Sequence, residues 1–208
     1  MDILIKNGLV VDGTGRPGRT ADLAVVGDRI TAIAALPHGA GRRVIDAAGC
    51  VVAPGFIDIH SHSDFLWLLR PRSESKVMDG VTTEVCGNCG SSPFPLRGQL
   101  LSHRREGFRK YGLDVDWSDA QGFFRRAERT PASINRAFLV GHGALRACVA
   151  GFSSRKPSDA ELREMSRELA AAIEAGAFGL SSGLEYPPGC YADADELASL
   201  CATARAAG

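Results

Sequence analysis

From Pro54 onward, apolar runs of strand length alternate with segments that open like helices, and this rhythm limits the chain to parallel βα units. The runs lie at 56–59, 81–85, 137–140 and 178–180. Helix starts are written at Ser118-Asp119-Ala120-Gln121, Ser158-Asp159-Ala160-Glu161 and Asp193-Ala194-Asp195-Glu196. Each pairs a side-chain oxygen at the cap with Gln or Glu three residues later, which predicts reciprocal capping boxes. In the second, Leu162, Met165, Leu169 and Ile173 form one apolar stripe with Gly176 beyond its end. Four such units are about half of the eight-fold barrel that βα units commonly close into. The sequence reaches Gly208 where a helix would pass to a next strand, so an incomplete barrel with exposed strand edges is expected.

The first fifty-odd residues have a different character. Short strand-like runs at 3–5, 9–11, 21–26, 29–33, 43–46 and 50–53 are separated by turn residues, with Gly27-Asp28 as a tight hairpin. The predicted division is a small β module over residues 1–54 and the barrel-type unit over 55–208. Lys+Arg and Asp+Glu both number 24, so charge gives no reason to expect nucleic acid or an anionic membrane as partner. No apolar run approaches the ~20 residues that span a bilayer, and the N-terminus lacks a secretory pattern, so no membrane partner is expected and a cytoplasmic location is the default. Six scattered cysteines in a core-forming chain point to a reducing compartment, with most of them buried as small apolar groups.

The chemistry concentrates at two strand ends. In Phe56-Ile57-Asp58-Ile59-His60-Ser61-His62-Ser63-Asp64, alternate residues of a strand share a face, so His60 and His62 point the same way. Two neutral imidazoles at the C-terminal end of a buried parallel strand are a ready chelate for zinc. A polar loop after a strand would carry the same pair without any ligand, and Asp58 and Asp64 are open to orienting or substrate-binding roles. The second constellation, Cys86-Gly87-Asn88-Cys89-Gly90, follows the strand at 81–85. A structural zinc ribbon needs a second cysteine pair, which is missing, and a thioredoxin-like pair usually opens a helix, whereas Gly87 and Gly90 make a loop. One thiolate joining His60 and His62 at a metal is the favoured alternative to two merely buried thiols.

These segments, together with the opening Asp2-Ile3-Leu4-Ile5-Lys6-Asn7-Gly8, Val11-Asp12-Gly13, residues 140–146 and residues 179–189, resemble the N-terminal half of the N-acyl-D-amino-acid deacylases (D-aminoacylases) of the amidohydrolase superfamily. The resemblance implies a small N-terminal β-sandwich portion followed by about half of a (β/α)8 TIM-like barrel. It implies Zn2+ as cofactor, with His60, His62 and Cys89 as metal ligands, and leaves Cys86 to packing. Relatives of dihydroorotase or dihydropyrimidinase type use a carboxylated lysine at the end of the fourth barrel strand, whereas Phe178-Gly179-Leu180-Ser181-Ser182-Gly183-Leu184-Glu185-Tyr186 contains none. A cyclic amidohydrolase is therefore the disfavoured alternative.

The implied reaction is hydrolysis of the amide of an N-acyl-D-amino acid, a small-molecule substrate. Tyr186 matches a family tyrosine near the substrate, and His142 and Arg146, in Gly141-His142-Gly143-Ala144-Leu145-Arg146, are candidate substrate contacts with a structural role equally open. His38 and His103 fall in segments expected at the surface and receive no role. The family takes its general base, an aspartate, from the last barrel strand and further histidines from the fifth and sixth. No histidine follows His142, so those groups are expected beyond the chain end and the catalytic residue is unknown. The chain is expected to be an incomplete fragment, inactive alone. A homo-oligomer, a complementing C-terminal polypeptide and a non-catalytic remnant all stay open.

Overall fold

A computed structural model describes residues 1–37, 39 and 41–208; His38 lies outside the described residues. The chain divides into two compact units, Met1–Gly55 and Phe56–Gly208.

The first unit is a single five-stranded mixed sheet rather than two stacked layers. Its strands are β1 (Ile3–Val10), β2 (Arg19–Val26), β3 (Arg29–Ala34), β4 (Arg43–Asp46) and β5 (Val51–Val52). The order is β3-β2-β1-β4, and β5 also pairs with β1, so the two halves of β1 hold different parallel partners on one edge. Two separate runs were expected within residues 3–11, but the strand continues through an irregularity between Ile5 and Gly8, with Asn7 at φ 63°. The cause is Asp22. Its carboxylate accepts from the Asn7 amide (3.0 Å), the Leu36 amide (2.9 Å) and the buried Lys6 ammonium (2.9 Å), which ties the bulge to the chain after β3. Val10, Ala21 and Leu23 form the small core here.

The second unit is α/β. Its elements run β6 (Phe56–Asp58), α1 (Leu66–Leu69), α2 (Glu74–Met78), β7 (Val81–Cys86), α3 (Gly98–Tyr111), α4 (Ala120–Glu128), β8 (Asn135–Phe138), β9 (Val140–Gly141), α5 (His142–Val149), α6 (Asp159–Glu174), β10 (Leu180–Ser181) and α7 (Ala194–Ala207). Strands β6, β7 and β8 pair in parallel, and β9 pairs in parallel with β10. At Leu139 the chain changes partner: the Leu139 amide still donates to Cys86 O, whereas the Val140 amide donates to Gly179 O. The strands thus add in chain order, all in one direction. The core beneath them is aromatic, with Trp67, Phe94, Trp117, Phe123 and Phe138 packed edge to face or tilted, and Leu145, Met165 and Leu169 continuing it under α5 and α6.

Four expectations are corrected. The strand before His60 is not buried: Phe56 and Ile57 are 60% and 62% exposed, because β6 is an edge strand that pairs, among the described residues, with β7 alone. Helix α3 has no counterpart in the expected elements; it begins at Arg97 without any side-chain cap. The capping boxes form only once. Ser158 and Glu161 make the full reciprocal pair, whereas α4 is capped by Asp119 onto the Gly122 amide rather than by Ser118, and α7 uses the Asp193 carboxylate with Glu196 turned elsewhere. Of the cysteines only Cys86 is buried; Cys50, Cys190 and Cys201 are exposed, and all are free thiols.

The hydrogen bonds from Lys6, Asn7 and Leu36 hold the Asp22 carboxyl well below the usual carboxylate range. A depressed folded-state pKa contributes stability that is complete above the unfolded value of 3.8 and is lost as pH falls beneath it. Asp22→Asn is expected to loosen the β1 amides at neutral pH, leaving Lys6 with the Leu36 carbonyl but no counter-charge, and to remove the part of the acid loss that Asp22 causes. Amide exchange followed through residues 3–10 as pH is lowered checks both.

Candidate metal centre

The ladder between β6 and β7 ends at Asp58, whose carboxylate accepts from the His60 amide (3.0 Å) and turns the chain out of the strand. His60 and His62 therefore sit on the loop past the strand rather than on the strand itself. Their alternation survives, because the Ser61 amide still donates to Val85 O (3.0 Å) and the Ser61 hydroxyl points inward to Glu84 (2.8 Å). With Ser61 held inside, both imidazoles face out.

The neighbouring loop brings the third group. His60 Nε2 lies 3.3 Å from Cys89 Sγ, and the ligand atoms of His60, His62 and Cys89 all fall within 4.8 Å of one another. Tetrahedral zinc with Zn–N of about 2.0 Å and Zn–S of about 2.3 Å sets such donors roughly 3.5 Å apart. The donor types and their spacing fit that ion. Cys86, by contrast, is fully buried, and burial pushes its thiol up to about 12, so it stays a neutral packing group.

The Cys89 loop is shaped by close backbone approach. A Cβ on Gly87 would stand 2.1 Å from Leu139 O, and one on Gly183 would stand 2.0 Å from Cys89 O, so only glycine fits either place. Cys89 itself is held at φ 54°, in the left-handed region that a non-glycine residue seldom occupies. The loop is fastened by Asp64, whose buried carboxylate accepts from the Gly87 amide at 2.6 Å. Burial pushes this carboxyl up to about 6, although the Gly87 hydrogen bond pulls the other way. Asn88 adds a bond from its side-chain amide to Val85 O (2.8 Å), and Ser181 bridges the loop to β10 through Gly87 O and the Gly90 amide.

A cleft of about 310 Å³ opens beside these groups, with His62, Cys89, Ser91, Arg104 and Tyr186 among its walls. Tyr186 is exposed there. His103, which was expected at the surface without a role, also reaches the rim, against Phe152 with ring centroids 4.9 Å apart. His142 and Arg146 go elsewhere. Both are fully buried on α5, where His142 Nε2 meets Glu196 Oε1 (2.8 Å) and Arg146 donates to Glu196 Oε2 and to Arg155 O (2.7 Å). Burial works to raise the Glu196 pKa, but these two partners outweigh it and keep the carboxyl below its ordinary value. The carboxylate that Arg146 meets belongs to the chain itself, so both residues take the structural role and neither lines the cleft as a substrate contact. Residues found only in the structure are Glu196, which reads locally as half of a capping box, and Arg104, which lies on the unanticipated α3.

The sequence of residues 43–207 matches the amidohydrolase family. The chain belongs to that family. This amidohydrolase is 41% identical to N-acyl-D-glutamate deacylase and 41% identical to D-aminoacylase, both of Alcaligenes xylosoxydans xylosoxydans, over 100% and 96% of its own length. It spans 42% and 41% of those two relatives. Among solved structures it is similar to the N-acyl-D-glutamate deacylase of Bordetella bronchiseptica complexed with zinc and a phosphonate mimic of the reaction's tetrahedral intermediate. That match has a TM-score of 0.88 and 38% identity, over 99% of this chain and 43% of the other. No described helix of the amidohydrolase chain is long and apolar enough to cross a membrane.

The buried Glu196 cluster and the exposed Tyr186 make opposite demands on stability. Glu196→Ala strands an imidazole and a guanidinium in the interior and is expected to cost about 3–5 kcal/mol. Tyr186→Phe removes only an exposed hydroxyl and is expected to stay within about 0.5 kcal/mol of the parent. Urea denaturation of the two variants beside the parent chain measures the contrast.

Proposed function

We propose that this chain is the first metal-binding portion of a zinc-dependent deacylase that hydrolyses N-acyl-D-amino acids to a carboxylate and a D-amino acid. The convergence of His60, His62 and Cys89 at the mouth of a cleft that also holds Tyr186 carries the proposal. The names of the similar proteins and the zinc in the Bordetella structure support it.

His60, His62 and Cys89 would hold the ion, with the thiolate as the anionic ligand. A zinc ion so bound supplies a water that is acidic near neutral pH and polarises the scissile carbonyl. Asp64 keeps Cys89 in place through the Gly87 amide, and Glu84 keeps the two imidazoles facing outward through Ser61. Tyr186 lines the cleft with its hydroxyl available to the substrate. Among the described residues no further histidine joins these three as a metal-ligand group, and no general base is assigned to the chain. A complementing C-terminal polypeptide would supply both.

Residues 1–54 are read as one layer of a β-sandwich, since their described strands form a single sheet on which Ile30, Val44 and Val51 are exposed. Residues 55–208 are read as the first half of a (β/α)8 barrel, since four parallel strand positions follow chain order and Phe56, Ile57 and Phe178 remain exposed.

Elemental analysis of the purified chain is expected to find zinc, with Cys89→Ala and His60→Ala reducing it and Asp64→Ala weakening its affinity by about 10–100-fold. N-acetyl-D-amino acids are expected to release free amine when the chain is mixed with the complementary portion of the D-aminoacylase relative, and not with the chain alone. A zinc-free parent chain would refute the metal centre, and a mixture that releases nothing would refute the deacylase assignment.

A further inference from the structure

Arg104 sits on α3 between the cleft that holds His62 and Cys89 and an adjoining hollow of about 350 Å³ walled by Phe65, Leu66 and Tyr111. Its guanidinium carbon lies 5.2 Å from the centre of the Phe65 ring. Nη1 donates to Ser92 O (2.7 Å) and Nη2 to the Ser91 hydroxyl (2.8 Å), which leaves the remaining donors of the fork without an acceptor among the described residues.

What it lacks is an anion. Among the described residues no carboxylate comes within 4.0 Å of Arg104, whereas the other interior guanidiniums, Arg136 and Arg146, each have one, Glu84 and Glu196. Asp64 is the acid whose field reaches Arg104, and its Oδ1 is occupied by the Gly87 amide. A half-buried cation with an aromatic ring on one side and two neutral acceptors on another has lost much of its hydration without a counter-charge. A planar fork in that state suits a carboxylate, which it can bind through two parallel N–H bonds.

We infer that Arg104 anchors a carboxylate of the ligand in this cleft, a role that rests on the deacylase reading of the site and adds a recognition residue to it. The carboxylate has two sources in an N-acyl amino acid: the α-carboxylate that all of them carry, and the side-chain carboxylate of an acidic one. The shared chemistry is an unpaired guanidinium meeting an oxyanion beside the His62–Cys89 wall. A purely structural Arg104, clamping Ser91 and Ser92, would instead affect folding and leave ligand preference unchanged.

Titration calorimetry on the zinc-loaded 208-residue chain separates these cases. N-acetyl-D-alanine against N-acetyl-D-alaninamide reads the α-carboxylate, and N-acetyl-D-glutamate against N-acetyl-D-glutamine reads the side chain. The parent chain is expected to favour the charged member of at least one pair by about tenfold or more, the range of a hydrogen bond to a charged group. Arg104→Gln is expected to bring that ratio close to unity, and Arg104→Lys, which keeps the charge but not the fork, to leave an intermediate value. If Arg104→Gln does not fold, Arg104→Lys and the parent ratio decide. A parent chain without charged-ligand preference in either pair overturns the inference, as does a preference unchanged in the variants. An Arg104-dependent preference without hydrolysis in the complemented mixture would refute the deacylase reading and leave the anchor standing.

Discussion

The hydrogen bond from the Gly87 amide to the buried Asp64 carboxylate joins the loops that follow β6 and β7, and the candidate centre depends on it. His60 and His62 belong to one loop and Cys89 to the other. Parallel strands fix where loops begin but not how they lean, because the ladder stops at Asp58 on one strand and Cys86 on the other. A carboxylate rooted in the first loop and closed on the backbone of the second sets that lean. The backbone contacts at Gly87 and Gly183 then leave the Cys89 loop no other path. Glu84 acts from below in the same sense, holding Ser61 inward while it pairs with Arg136 at 2.7 Å.

The parts of the fold legible in the sequence were those that local chemistry dictates. The apolar runs became strands within a residue or two, and Ser158 with Glu161 announced α6 because both halves of its box lie in one short segment. The choice of Cys89 came from the family resemblance, while the joining of His60 and His62 by one thiolate of the Cys86–Cys89 pair was legible because strand-end loops of neighbouring parallel strands lie side by side. Helix α3 was not, since Arg97 offers no capping oxygen and its charged surface hides the few buried positions, Leu100 and Phe108. Its omission concealed Arg104 as well.

Long-range pairing defeated sequence reasoning most clearly at Glu196. Three residues after Asp193 it has the position of a capping-box partner, and nothing nearby indicates that its carboxylate serves His142 and Arg146, 54 and 50 residues away. Two buried groups that looked available for a ligand are thereby used to join α5 to the start of α7. Edge position also cannot be read from composition: Phe56 and Ile57 have the apolar character of a buried strand, yet pair on one side only. The cysteines show the same limit, since their small apolar character says nothing about which face of a helix or loop carries them.

The left-handed backbone of Cys89 has a consequence for where the free energy of ligation is set. A thiol on a mobile loop would lose conformational entropy when it met a metal, and affinity would fall by that amount. At φ 54° between glycines the conformational cost is incurred during folding, offset by the packing of the surrounding loops. For the proposed zinc ligation the three donors would therefore be preorganised, and their arrangement is linked to the integrity of the β7–β9–β10 junction. Local opening at Leu139 or Gly183 would disperse the three donors without altering any one of them.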